Sequence, residues 1–385
     1  MSGPIVTGEL LKAGFVDRPN QFLVRCRLAG GRLVRAFLPN PGRMWELLFP
    51  GVAMYLTENR EASGGAVRRR TRFTAVAVER DGDLVFLHTG LTNAVARRLI
   101  ESGRIPSLAG AEIAGSEVRV GRSRFDFLLS RGGDELYLEV KSCTLYGNRV
   151  AMFPDAVTAR GRRHLLELAE LARGGVRPVV LFVVHTPRAD WFMPDYHSDL
   201  AFSRTLLEVR DAVDVLAVAV SWRPGLRLGP RVRELEIPWE FLDKEVDDRG
   251  SYFLLLHLAR RRRLRVGQLG SILFEKGHYV YAGSAMANLG TRLARHCRRR
   301  KRMHWHVDYL RQAADAVVPV PVRASRRLEC ELAGGLEAIM GAGVPGFGSS
   351  DCECRSHLFR SEEAPLDRRD FHELLQRYRM LRPPG

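Results

Sequence analysis

Asp126, Glu139 and Lys141 are the residues of this chain best suited by type and spacing to do chemistry. Two carboxylates can hold a divalent cation such as Mg2+ or Mn2+ through their oxygens. A cation held there lowers the pKa of its water and stabilises charge on phosphate oxygens, and a lysine beside it orients that water. Together this is the chemistry of phosphodiester hydrolysis. For the three side chains to converge, the segments carrying them must be neighbouring strands. Ser123-Arg-Phe-Asp-Phe-Leu-Leu129 and Leu136-Tyr-Leu-Glu-Val-Lys141 are short apolar runs with aromatic and β-branched residues, joined by the turn signal Arg131-Gly-Gly-Asp134. Glu139 and Lys141 stand two apart, so their side chains leave the same face, and Asp126 on the partner strand can lie beside them. The alternative for the same spacing is a charged strand face open to water.

At 385 residues the chain has room for two or three domains, and a hydrophobic share of 45% points to packed cores. The net charge is +16, of which residues 250–385 carry +11. Such an excess favours a polyanionic partner, because each cation placed at a phosphate releases counterions. No apolar run reaches the roughly 18 residues of a membrane span. Met1-Ser-Gly-Pro-Ile-Val6 shows neither a basic nor an apolar leader region, so a secretory signal is not expected. The six cysteines are scattered through an apolar-rich chain, which suits a reducing cytoplasm better than a disulfide framework.

Residues 1–90 read as evenly spaced short strands at 21–27, 33–38, 53–56 and 74–78, a small β-barrel or sandwich. Arg68, Arg69, Arg70 and Arg72 form a basic run before the last of them, either a solvated loop or a loop that contacts phosphate. Residues 91–235 alternate helix and strand around a mixed sheet, beginning with a helix that Asn93 could cap. Further helices fall at 162–171 and 200–212, and further strands at 179–184 and 215–220. Thr158, Arg160, Arg163 and His164 gather at a helix start, a natural phosphate site. Pro224-Gly225, Gly229-Pro230 and Pro238, followed by an acidic stretch, mark a boundary over 221–249. Beyond it come strands at 252–258 and 279–281, a helix at 289–297 and the densest cationic run, Arg298, Arg299, Arg300, Lys301 and Arg302.

Residues 1–237 resemble the sugar fermentation stimulation protein family. The matching segments are Pro39-Asn40 with Gly42 and Met44, Ser116-Glu-Val-Arg-Val-Gly121 with Ser123-Arg-Phe-Asp126, Glu139-Val-Lys-Ser142 with Thr144-Leu145, and Phe153-Pro-Asp-Ala-Val-Thr158 with Arg160-Gly161 and His164-Leu165. The resemblance implies an OB-like domain, then a PD-(D/E)XK nuclease-like domain, and DNA binding. It places Asp126 and Glu139 as the metal-binding carboxylates and Lys141 as the catalytic lysine. Arg98 stands where the family tends to carry Glu, with Glu101 a turn further on as a substitute, and Ala159 where relatives have another Glu. Those two departures favour a scaffold that binds DNA without cutting it.

Residues 250–360 resemble a GIY-YIG-like domain, through Gly250-Ser-Tyr252, Tyr279-Val-Tyr-Ala-Gly-Ser-Ala285, Arg292 with His296, His304-Trp-His306 with Asp308-Tyr309, and Glu329-Cys330. In that likeness Tyr252 and Tyr281 help activate water, Arg292 stabilises the phosphate and Glu329 holds a metal. By type, too, Arg offers phosphate a bidentate fork and Tyr can relay a proton. The plainer reading has Tyr279 and Tyr281 packing a core. Cys352-x-Cys354-x-x-His357 invites zinc, with Cys330, His304 or His306 as the fourth ligand. Yet Cys-x-Cys is tighter than the common spacing and buried free cysteines are ordinary, so zinc is not expected.

The expected architecture is multi-domain: an OB-like β-barrel over 1–90, a central α/β PD-(D/E)XK nuclease-like mixed sheet over 91–237, a linker over 238–249, an α+β GIY-YIG-like domain over 250–360 and a tail over 361–385. The expected function is that of a cytoplasmic DNA-binding protein with metal-dependent nuclease activity. Arg160, Arg163 and His164 would clamp the backbone, and the barrel and basic runs would supply salt-sensitive affinity. Single-stranded or branched DNA suits such a surface, RNA less so. No sugar-binding constellation is visible.

Overall fold

The computed structural model describes residues 3–59, 71–121 and 123–383. The chain divides into two compact units, the first running to Trp239 and taking in the chain from Arg382 on, the second Glu240–Leu381.

The first unit opens with β1 (Leu10–Asn20), β2 (Leu23–Leu28), β3 (Leu33–Phe37), β4 (Ala53–Glu58), β5 (Phe73–Arg80) and β6 (Asp83–Phe86). Alternation builds them: in β2, Val24 and Cys26 are fully buried while Arg25 and Arg27 take the other face. The order is β3-β2-β1-β4-β5-β6, and a parallel pairing of β3 with β5 through Ala36 and Phe73 closes five strands into a barrel.

There follow α1 (Thr92–Glu101), β7 (Glu112–Val120), β8 (Ser123–Arg131), β9 (Asp134–Cys143), β10 (Leu145–Gly147), β11 (Val150–Phe153), α2 (Ala159–Arg173), β12 (Arg177–Val184), β13 (Trp191–Pro194), α3 (Leu200–Val209), β14 (Asp214–Arg223) and β15 (Arg227–Glu234). Six strands form a mixed sheet in the order β15-β14-β12-β9-β8-β7, with β9, β12 and β14 parallel. β12 is buried from Pro178 to Val184, as a central strand covered on both faces must be. Val179, Leu181 and Val183 pack in one core with Val95 and Leu99 of α1. Val180, Phe182 and Val184 pack in the other with Leu165 and Leu168 of α2 and Phe202 of α3. In β9, Leu136, Leu138 and Val140 belong to the α1 core, which turns Glu139 and Lys141 toward α2.

The stretch 221–249 contains the division after Trp239, and much of it is built into regular elements. Pro224-Gly225 lies in the turn between β14 and β15, and Gly229-Pro230 lies at an irregular pairing within edge strand β15. A proline costs no ladder bond there. The expected linker over 238–249 also holds a helix, α4 (Trp239–Glu245).

The second unit contains β16 (Gly250–Leu258), β17 (Arg262–Arg265), β18 (Ser271–Phe274), β19 (Gly277–Ala285), α5 (Leu289–Cys297), α6 (His306–Ala313), β20 (Ala316–Arg323), α7 (Glu329–Met340), β21 (Leu358–Ser361) and α8 (Arg369–Arg379). Four strands pair antiparallel in the order β20-β16-β19-β21. One face packs on α5 and α6 and the other on α7 and α8. Arg369–Arg379, within the expected tail, is therefore a packed helix. Phe371, Leu374 and Leu375 recur at helical spacing and are buried in the core with Leu332 and Leu336 of α7.

Candidate active sites

The antiparallel ladder of β8 and β9 ends at Phe127 opposite Leu138. Beyond that pair the amide of Val140 has lost its ladder partner, and the Asp126 carboxylate takes it: Oδ2 accepts from Val140 N at 2.7 Å. The other oxygen, Oδ1, accepts from Asn93 Nδ2 at 2.7 Å. Asn93 is thus not the cap of α1, whose N-cap is Leu91 without a side-chain bond. It brings the first turn of α1 onto the site, and no local spacing in the sequence announces it.

Glu139 is 5% exposed. Its Oε1 meets Lys141 Nζ at 2.5 Å and His164 Nδ1 at 2.6 Å. Arg160 Nε donates to His164 Nε2 at 3.3 Å. An Arg can only donate, so Nε2 carries the lone pair and Nδ1 the proton given to Glu139. Thr158 caps α2 by accepting from Gly161 N at 3.0 Å, which fixes the turn that aims Arg160 and His164.

The two carboxylates are unequal. Burial and the neighbouring charge of Glu139 raise the pKa of Asp126, against the opposing bonds from Val140 and Asn93. Burial acts the same way on Glu139, but the His164 hydrogen bond and Lys141 outweigh it and hold that carboxyl below its ordinary value.

The other residues singled out in this unit lie elsewhere. Arg163 is exposed and its Nε lies 3.6 Å from Glu167. Arg98 donates to the carbonyls of Gly3 and Pro4, and Glu101 pairs with Arg97 at 3.3 Å. Arg72 pairs with Glu58 at 2.5 Å on the barrel surface. Arg68, Arg69 and Arg70 fall outside the described residues.

In the second unit Tyr252 and Tyr281 come from the paired strands β16 and β19, with ring centroids 6.4 Å apart. Tyr252 faces Gly283 across the ladder, where a Cβ would stand 2.5 Å from the ring, so only glycine admits the tyrosine. The Tyr252 hydroxyl lies 2.9 Å from His296 Nε2. Burial pushes both hydroxyls up, the nearby Arg292 charge opposing it at Tyr252 and the Tyr252 and Glu329 charges adding to it at Tyr281. Arg292 lies over the Trp305 ring at 4.2 Å. Glu329 accepts from Ser284 Oγ at 2.5 Å and meets His357 Nδ1 at 3.2 Å. The four residues share one electrostatic neighbourhood, although Tyr252, Tyr279 and Tyr281 also pack the core.

The cationic run is not uniform. Arg298, Arg299, Arg300 and Arg302 are exposed. Lys301 turns inward, its side chain 5% exposed and its Nζ 2.9 Å from fully buried Asp308. The desolvation of that acid makes an inward partner necessary.

Three family descriptions match the chain: SfsA N-terminal OB domain over residues 16–87, Sugar fermentation stimulation protein RE domain over 90–225, and Domain of unknown function DUF123 over 251–380. A sugar fermentation stimulation protein homolog of Chloroflexus aurantiacus is 42% identical over 232 residues, covering 60% of this chain and 87% of that protein. One from Methanothermobacter thermautotrophicus is 39% identical over 202 residues, covering 52% and 82%. Among solved structures, SfsA of Pyrococcus furiosus in complex with Ca2+ is similar with a TM-score of 0.54 and 30% identity, covering 61% of this chain and 99% of that one.

Proposed function

The chain belongs to the sugar fermentation stimulation protein family, and on that footing we propose that it binds DNA and hydrolyses its phosphodiester bonds at the Asp126, Glu139 and Lys141 site. The observation that carries this reading is the convergence itself. Where β8 and β9 part, Asp126 bonds the Val140 amide and feels the charges of Glu139 and Lys141, and Glu139 is held by Lys141 and His164 through one oxygen. The donor set fits a hard divalent cation: both acids offer oxygen, and their mutual charge already raises Asp126. The Ca2+ complex of the Pyrococcus furiosus relative supports the same class of ion. A cation bound there would polarise the phosphate and acidify a water.

The chain's own residues do the rest. Asn93 and the Val140 amide hold Asp126 in place. Lys141 orients the attacking water and stabilises charge on the phosphate oxygens. His164 keeps Glu139 ionised, and Arg160, exposed beside it, reaches the backbone. In the second unit we propose a second phosphodiester site, with Tyr252 and Tyr281 moving a proton, Arg292 on the phosphate and Glu329 as its acid.

The test is incubation of the purified protein with single-stranded, duplex and branched DNA and with RNA, in Mg2+, Mn2+ or EDTA. Cation-dependent cleavage lost in Glu139→Gln and Lys141→Ala supports the first site; loss in Arg292→Ala alone moves the reaction to the second unit. Salt-sensitive binding without cleavage in any condition overturns the hydrolytic reading and leaves a DNA-binding scaffold.

A further inference from the structure

Four soft ligands from two distant stretches of the second unit meet at one point. Cys330 lies in the first turn of α7, and Cys352, Cys354 and His357 lie in the segment just before β21. One donor atom from each lies within 4.8 Å of all the others. Cys352 Sγ is 3.4 Å from His357 Nε2. Metal–sulfur bonds of about 2.3 Å and metal–nitrogen bonds of about 2.1 Å put tetrahedral ligands roughly 3.5–3.8 Å apart. The cluster is thus the size of a single ion. Donors bridging an iron–sulfur cluster would stand further apart.

The histidine is prepared for it. His357 Nδ1 faces Glu329 Oε1 at 3.2 Å, so Nδ1 carries the proton and Nε2 points its lone pair at the thiols. A carboxylate behind a ligating imidazole is the usual arrangement at zinc. The other candidates for the fourth ligand are committed elsewhere: His306 Nδ1 accepts from Gly348 N at 3.1 Å, and His304 packs edge-on against Trp305.

We propose that Cys330, Cys352, Cys354 and His357 bind one Zn2+. The tight Cys-x-Cys spacing argued against this in the sequence, where Cys330 was one of three candidates for the fourth ligand; the fold brings Cys330, at the start of α7, to the other three. Four protein ligands make a closed, structural site. The ion ties the irregular stretch 341–357 to α7. That stretch buries Phe347 and brings Gly348 so close to Tyr281 that a Cβ would stand 2.7 Å from the ring. Glu329, the acid of the second proposed site, then also positions the zinc ligand His357.

The experiment is metal analysis of the full-length protein purified under reducing conditions, with zinc and iron counted per chain. About one zinc per chain is expected in the wild type and in Cys297→Ser, and less than a tenth of that in the Cys352→Ser/Cys354→Ser double variant. Glu329→Gln should bind zinc about 10–100-fold more weakly in competition with a chelator. Should the cysteine variants precipitate, Co2+ titration of a Glu139→Gln protein decides. Tetrahedral thiolate-bound Co2+ gives intense visible bands and sulfur charge transfer, whereas an oxygen-ligated ion does not. Absence of those bands, a disulfide within the cluster, iron in place of zinc, or full zinc in the double variant would overturn the proposal.

Discussion

Glu139 Oε1 receives both Lys141 and His164, so removing either leaves a carboxylate 5% exposed with less to hold its charge. His164 supplies the largest influence opposing burial at that acid. The carboxyl sits below its ordinary value and stays ionised as pH falls. In His164→Ala burial gains ground, the pKa climbs, and protons compete with the cation at higher pH. The acid limb of cation-dependent cleavage should therefore move to higher pH in His164→Ala, with activity at alkaline pH less affected; a pH–rate profile with an unmoved acid limb would refute the role. Glu46 shows the opposite sign. Burial pushes it up to about 7, Arg80 opposing and Asp195 adding. Its folded state binds the proton more tightly than the unfolded chain, so its contribution is present below the ordinary value and lost as pH rises through about 7. Glu46→Gln should recover up to about 3 kcal/mol at pH 8 and little at pH 5, read from urea midpoints at the two pH values.

At the scale of elements, the starts of α2 and α3 share one acid. Asp199 Oδ1 caps α3 by accepting from Phe202 N at 3.0 Å, and its Oδ2 accepts from Thr158 N, itself the cap of α2, at 2.7 Å. Asp199→Ala removes a cap and strands a half-buried amide, a loss of roughly 2–3 kcal/mol, while Asp199→Asn should keep about half of it. Denaturant unfolding checks the stability, and cleavage should fall in step because Arg160 and His164 hang from the same turn. What the sequence showed and hid follows from range. The face shared by Glu139 and Lys141 was legible because strand period two needs only neighbours, and the apolar alternation of Leu136, Leu138 and Val140 reinforces it. β1 was not, because Lys12, Asp17 and Arg18 interrupt its alternation and its pairing with β2 shifts register between Phe15 and Asp17. Asn93 and Cys330 were placed by the packing of helices against distant segments, which no local pattern encodes. α8 was legible only as part of a tail, since Phe371 and Leu374 declare an apolar face without naming its partner.

At the scale of the whole molecule, the proposed nucleic-acid binding should weaken with salt, given a net charge of +16 concentrated in residues 250–385, but charge counted from sequence overstates what a phosphate can meet. Lys301 is the case in point. It donates to the carbonyls of Arg295 and His296 and pairs with Asp308, which also receives Arg295 and the amides of His304 and Trp305. Against its burial, His296, Arg295 and Lys301 hold the Asp308 carboxyl far below its ordinary value. The contributions of neighbours in this run should therefore separate cleanly. Replacing Arg298, Arg299 and Arg300 by Gln should flatten the slope of log affinity against log salt by up to about 0.9 for each phosphate left without its arginine. Folding stability should change by no more than about 0.5 kcal/mol, because those side chains are exposed. Lys301→Met should leave the salt slope intact and lower stability by about 3 kcal/mol, since it takes a cation from a buried acid. Fluorescence anisotropy across a salt series and urea unfolding of both variants measure the two effects. If Lys301→Met flattens the slope as each exposed arginine does, the inward ion pair opens in solution and the whole run meets the phosphates.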